Sequence, residues 1–141
     1  MALLSDTDAI SELLRPKPLA KYLDWLKKLP RDEQFTSSVV VGELYKGAYR
    51  SPARAYHIEN LEKRILPAVT VLPYDVATAN VYGKIRAQLE ETGQMLADAD
   101  LQIAATALYH DLEMVTGNLR HYSRIDRLRI NDILFRARQA K

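Results

Sequence analysis

Short apolar runs alternate along this chain with longer stretches in which apolar residues return every third or fourth position. Leu3-Leu4-Ser5 reads as a short buried strand, and the polar break Asp6-Thr7-Asp8 leads into a helix over residues 9–14. Asp or Thr at such a break is a good N-cap. Pro16 and Pro18 end that helix, and Pro18 suits the start of a second one reaching about Leu29. Phe35-Thr36-Ser37 predicts a second strand, and Ser37 or Ser38 can cap a helix from Val39 to about Tyr49. Pro52 interrupts, and a further helix extends to about Leu66. Val69-Thr70-Val71-Leu72 is β-branched and apolar, hence a third strand. Asp75 caps a long helix carrying Val81, Ile85 and Leu89 at four-residue spacing, and Gly93 ends it. Another helix covers about residues 99–109, with Leu101, Ala104, Ala105 and Leu108 on one face. Residues 112–116 form a fourth strand and Leu128-Arg129-Ile130 a short fifth. Strands alternating with helices predict an α/β fold around a mostly parallel sheet. With 141 residues and no repeat, low-complexity tract or linker, one domain spanning residues 1–141 is expected.

Composition narrows the chemistry. The chain has no cysteine, which excludes disulfides, thiolate metal sites and thiol catalysis and fits a reducing cytosol. The opening run Met1-Ala2-Leu3-Leu4 meets Asp6 almost at once, too short for a signal sequence or a membrane span. A soluble, cytoplasmic protein without membrane contact is the expectation. Twenty basic against 18 acidic side chains give a net charge of +2, too even to indicate a nucleic acid partner by itself. Their distribution says more. After Gly117 the chain carries Arg120, Arg124, Arg127, Arg129, Arg136, Arg138 and Lys141 against only Asp126 and Asp132. From Glu90 to Glu113 it carries Glu90, Glu91, Asp98, Asp100, Asp111 and Glu113 and no lysine or arginine. An acidic cluster beside a basic tail suits a metal site surrounded by polyanion-binding groups; ordinary surface charge is the plainer alternative.

Ligands of a parallel α/β sheet gather at the carboxyl ends of its strands. Asp6 follows the first strand, Asp98 and Asp100 open a helix, and Asn118 follows the fourth strand. Glu43 lies within the apolar helical run Val39-Val40-Val41-Gly42-Glu43-Leu44, where a carboxylate is costly unless paired or bound to a metal. Gly42 beside it would permit close approach of another backbone. If Asp6, Glu43 and Asp100 converge, two carboxylates about 4 Å apart repel by several kcal/mol at an effective dielectric near 20. A shared proton or a divalent cation must then relieve the group, and an oxygen-only ligand set favours Mg2+ or Mn2+ over zinc. Metal-assisted phosphodiester hydrolysis is the natural chemistry of such a site. Each residue also has a structural reading. Asp6 and Asp98 suit helix caps, Asp100 complements a helix dipole, Glu43 can pair with an arginine, and Asn118 beside Gly117 suits a turn. Asp98 and Asp100 are two positions apart, so only one is expected to face a site. His57, His110 and His121 show no ligand spacing and are expected at helix ends or on the surface. Tyr45, Tyr49 and Tyr56 are expected to pack a core or a dimer face, and Tyr22, Trp25 and Leu26 to dock the second helix or receive a partner's amphipathic segment.

Four segments, in order, resemble PIN-domain toxins of the VapC type. They are the opening Leu3-Leu4-Ser5-Asp6-Thr7-Asp8-Ala9-Ile10, the block Ser38-Val39-Val40-Val41-Gly42-Glu43-Leu44-Tyr45, the block Asp98-Ala99-Asp100-Leu101-Gln102-Ile103-Ala104-Ala105, and Val115-Thr116-Gly117-Asn118 followed by His121-Tyr122. The resemblance implies a three-layer α/β/α fold and Mg2+ or Mn2+ held by Asp6, Glu43 and Asp100, with Asp100 preferred over Asp98 because it abuts the Leu-x-Ile-Ala-Ala run. It implies endoribonuclease action, commonly on tRNA or ribosomal RNA, with Thr7, Thr116 and Asn118 positioning water or phosphate and Asn118 counted among the catalytic group. It further implies a homodimer blocked by a cognate antitoxin, with DNA reached only through that antitoxin. Two departures stand out. Asp8 replaces the usual asparagine and adds charge at the site mouth, and Asn118 replaces a fourth carboxylate found in some members, which points to one-metal chemistry. Two other readings remain open on the residues. The same fold can serve as a non-catalytic RNA- or protein-binding module. Asp6-Thr7-Asp8-Ala9-Ile10 also approaches the opening of aspartate-nucleophile phosphatases, though Ile10 departs from that pattern.

Overall fold

The computed structural model describes residues 2–140; Met1 and Lys141, the first residue of the opening run and the last base of the tail, lie outside the described residues. Five short strands form one sheet: β1 (Leu3–Ser5), β2 (Gln34–Ser37), β3 (Thr70–Leu72), β4 (Glu113–Val115) and β5 (Ile130–Asn131). Their spatial order is β3-β2-β1-β4-β5, and every neighbouring pair is parallel. Parallel strands need crossovers, here supplied by helices. These are α1 (Thr7–Leu13), α2 (Ala20–Lys27), α3 (Ser38–Arg50), α4 (Arg54–Asn60), α5 (Val76–Thr92), α6 (Asp98–Tyr109), α7 (Leu119–Tyr122) and α8 (Ile133–Gln139).

Side chains on a strand point alternately to opposite faces, and here both faces are covered. Leu4 and Met114 enter a large core with Val40 and Leu44 of α3, Ile85 and Leu89 of α5, and Leu101 and Ile103 of α6. Leu3 and Val115 enter a smaller core with Tyr22 of α2 and Leu134 and Ala137 of α8. The result is a three-layer α/β/α architecture on a wholly parallel sheet. No helix among the described residues is long and apolar enough to cross a membrane.

Local chemistry explains most boundaries. Ser37 caps α3 by accepting from the Val40 amide at 3.1 Å. Asp75 and Thr78 form a reciprocal capping box on α5, and Gly93 ends that helix at φ 68°, a left-handed conformation in which glycine is unstrained. The second helix begins at Ala20 rather than Pro18, because the buried Glu12 carboxylate accepts from the Leu19 amide at 3.1 Å. The helix expected to reach Leu66 is interrupted. After α4 the chain widens into a π-turn (Leu61–Ile65) that buries both Leu61 and Ile65, then tightens into a 3-10 turn (Leu66–Ala68) around Pro67, which lacks an amide donor. Tyr22 donates to the Ala9 carbonyl at 3.1 Å and stacks on Trp25, docking α2 on the smaller core. Tyr49 and Tyr56 do not pack a core: they are 53% and 61% exposed. The sequence pattern does not predict helix α8, because its buried Leu134 and Ala137 are interleaved with Arg136 and Arg138 and the helix spans only two turns.

From β1 the chain builds outward through β2 to β3, then returns across β1 to place β4 and β5 on its other side. The crossovers therefore diverge above β1 and β4 and leave a crevice at their carboxyl ends.

Candidate active site

The crevice above β1 and β4 holds the acidic groups. Asp6 follows β1 directly and caps α1, its Oδ1 accepting from the Ala9 amide at 2.8 Å, and it is only 3% exposed. Its own amide donates to the Val115 carbonyl at 3.1 Å, which joins the ends of β1 and β4. Past β4, buried Thr116 hydrogen-bonds the Asp6 carboxylate, and its hydroxyl oxygen accepts from the Asn118 amide at 3.0 Å. Helix α3 brings Glu43, whose Oε1 accepts from the Thr7 hydroxyl at 2.5 Å. The first turn of α6 brings Asp100, whose Oδ1 accepts from Tyr122 at 3.3 Å. Asp6, Thr7, Glu43, Asp100, Asn118 and Tyr122, with Asp8 and Gly117, line a cavity of about 470 Å3.

The electrostatics divide these acids into two kinds. Burial drives the Asp6 pKa from 3.8 up to about 7, with Asp8 and Asp100 adding repulsion, against the hydrogen bonds from Thr116 and Ala9 that favour the anion. Burial likewise raises Asp100, reinforced by the Glu43 charge and opposed by the Tyr122 hydrogen bond. Burial among these acids holds the Tyr122 phenol well above its ordinary range, so it remains a donor. Among the described residues, none of Asp6, Glu43 and Asp100 pairs with a lysine or arginine. Asp8 does: Arg138 of α8 forks onto it at 2.8 and 2.9 Å and also reaches the buried Glu12 at 3.2 Å. Asp8 also accepts from the Gly117 amide at 3.2 Å. A Cβ at Gly117 would meet the ends of both the Arg138 and the Asp8 side chains, so any larger residue must displace that ion pair. Gly42 carries no such demand; a Cβ there meets nothing within 4 Å, contrary to the close backbone approach expected from sequence.

The structure thus brings Asp6, Thr7, Glu43, Asp100 and Asn118 to one cavity, with Thr116 beneath them. Asp98 is turned away, bonded to Tyr82 and Arg86, and α6 is preceded by Ala97, so Asp98 is not its cap. Three participants escaped sequence reasoning. Tyr122 is 2% exposed and touches Asp100; its place in the fourth of the resembling segments was the available signal, though no site role was assigned to it. His121, expected at a helix end or on the surface, lies in the last turn of α7 but only 4.0 Å from Asp100, and its Nδ1 meets the Asn118 side-chain nitrogen Nδ2 at 2.8 Å. Arg138 sits 130 residues from Asp8, and nothing local announces that pairing.

No three acidic or imidazole groups among the described residues already stand in a metal-holding arrangement, so the acids line one cavity without meeting at a point. Mg2+ asks for less. It typically retains several waters and takes one or two carboxylates. Two carboxylates of raised pKa, the buried Asp6 and the partly buried Asp100, stand beside a third acid with no lysine or arginine partner and form a site that such a hydrated cation would neutralise. The residues fit.

The PIN domain family profile matches residues 3–128. The chain is 37% identical over 119 residues to "Toxin FitB" of Neisseria gonorrhoeae, covering 81% of this chain and 86% of that protein. It is 35% identical over 96 residues to a "tRNA(fMet)-specific endonuclease VapC" of Shigella flexneri, covering 68% of this chain and 72% of that protein. Among solved structures, FitAcB from Neisseria gonorrhoeae superposes with a TM-score of 0.85 at 32% identity, covering 94% of this chain and 98% of that one.

Proposed function

The chain belongs to the PIN domain family, and from that premise we propose that it is a metal-dependent endoribonuclease, the toxin of a toxin–antitoxin pair. The observation that carries the proposal is the cluster of Asp6, Glu43 and Asp100 around one cavity, with no lysine or arginine partner among the described residues, at the switch point of the sheet. Family membership leaves no ground for the aspartate-nucleophile phosphatase reading. Asp6 and Asp100, helped by Glu43, would hold Mg2+ or Mn2+. When bound, such a cation neutralises a phosphodiester's developing charge and makes an attacking water more acidic.

The chain's own groups do the rest. Thr7 fixes Glu43 through its hydroxyl, and Tyr122 holds Asp100, so the carboxylates enter the reaction already oriented. Thr116 holds Asp6 and, through its contact with the Asn118 amide, sets the turn from which the Asn118 side chain faces the cavity. The Asn118 amide group is positioned to bond a phosphate oxygen or the attacking water. Asp8, neutralised by Arg138, adds little net charge at the mouth, which eases approach of a polyanion. Arginines near the groove would bind the RNA backbone. The proposal includes a homodimer acting in the cytoplasm, restrained by a cognate antitoxin through which alone it meets DNA.

The test is purified protein on labelled total tRNA and ribosomal RNA in Mg2+, Mn2+ or EDTA, beside Asp100→Asn. Discrete cleavage that requires metal and vanishes in the variant is expected. Equal cleavage by both proteins would place the active site elsewhere, and robust RNA binding without cleavage in Mn2+ would return the chain to a binding module.

A further inference from the structure

A second cavity, of about 210 Å3, adjoins the acidic one and shares Thr7 and Glu43 with it. Its other walls come from α1, α3 and the segment after them: Ser11, Leu14, Leu44, Gly47, His57 and Leu61 are the groups that matter. Leu44 and Leu61 are buried and make an apolar bed, while Ser11 is exposed. The side chains of Ser11 and His57 make no hydrogen bond among the described residues, and the His57 ring is fixed edge-on to Tyr56 with centroids 5.4 Å apart. Gly47 presents no side chain, and a Cβ there would meet nothing within 4 Å, so helix α3 leaves this space open.

We propose that this cavity is a nucleobase subsite that receives one unpaired base flanking the scissile phosphate. The inference rests on the nuclease reading and adds the place in this chain where one base beside the cut would sit. A phosphodiester held beside Asp6 and Glu43 carries its flanking nucleosides within one nucleotide's length, and the shared wall of Thr7 and Glu43 puts this cavity within that reach. The volume is below the roughly 300–1,000 Å3 of ordinary small-molecule sites, a scale that suits one planar ring better than a helix. An apolar bed, an imidazole for stacking and a free hydroxyl for the base edge are the means by which proteins hold unstacked bases.

The test titrates the protein, with Ca2+ in place of Mg2+, against fluorescent octanucleotide RNAs of mixed sequence, either intact or abasic with the sugar-phosphate chain kept. Wild type is expected to bind intact RNA about tenfold or more tighter than abasic RNA, in line with the strength of base stacking. Gly47→Leu, which fills the cavity from a helix interior where leucine is well tolerated, and His57→Ala, which removes the stacking ring, should each lose most of that preference. Both should bind abasic RNA as wild type does. Equal binding of intact and abasic RNA by wild type, or variants that keep the full preference, would overturn the subsite. Cleavage of total tRNA and ribosomal RNA in Mg2+ separates the two readings: base-sensitive binding by a protein that cuts neither refutes the nuclease and leaves a base-binding cavity beside the acids. Variants that keep the base preference yet escape inhibition by the cognate antitoxin would assign the cavity to a protein partner and overturn the proposal.

Discussion

Replacing Asp6 by Asn should stabilise the metal-free protein while removing its activity. Asp6 is 3% exposed, and burial raises its pKa from 3.8 to about 7. At about 1.4 kcal/mol per pH unit, that rise makes the ionised side chain cost the fold about 4 kcal/mol. A carboxyl whose pKa is raised by folding binds its proton more tightly in the native state. The cost is therefore absent below pH 3.8, grows as pH rises, and is complete above about pH 7. Asparagine is never charged, nearly matches the shape, and still offers an oxygen to the Ala9 amide as an N-cap. In urea unfolding with EDTA, the two proteins should be nearly equal at pH 4, and the variant should be more stable by up to about 4 kcal/mol at pH 8. Metal reverses the order in part. Mg2+ at about a hundred times its dissociation constant should stabilise wild type by about 2.7 kcal/mol and leave the variant almost unchanged. A variant whose stability relative to wild type is the same at both pH values would refute the argument, because the buried charge would then cost nothing.

Other residues give separate tests. Arg138→Gln leaves Asp8 half-exposed and Glu12 buried without their shared cation, and should lower stability by about 2 kcal/mol in denaturant unfolding, with partial recovery in the Asp8→Asn, Arg138→Gln double variant. Gly117→Ala forces a methyl group against Arg138 and Asp8 and should cost about 1–3 kcal/mol, with cleavage reduced because the neighbouring Asn118 must move. Tyr122→Phe removes a hydrogen bond that favours ionised Asp100, so the acid limb of the pH–rate profile should shift upward; a downward shift would contradict the geometry. Glu43→Gln should weaken Mg2+ binding in a thermal-shift titration, and Asp98→Asn, at a residue turned towards Tyr82 and Arg86, should leave it at wild-type affinity.

The sequence by itself determined the alternation of strand and helix, the cap at Asp75 and the stop at Gly93, and narrowed two further caps to neighbouring residues of which the structure uses Asp6 and Ser37, because each depends on groups within a few residues of one another. It also singled out Asp6, Glu43, Asp100 and Asn118, since acids at strand ends, or within an apolar helical run, are conspicuous without any structure. Spacing alone left Asp98 and Asp100 as rivals; the resemblance favoured Asp100, and the packing of α5 against α6 puts Tyr82 and Arg86 beside Asp98. The partnership of Asp8 with Arg138, the support of Asp100 by Tyr122, and the shared wall between the acidic cavity and its apolar neighbour were decided only by the tertiary structure. These contacts join residues that strand order and layer packing bring together across as many as 130 positions. Local propensity and spacing reach a turn or two of helix; long-range charge pairing and cavity shape exist only once both faces of the sheet are covered.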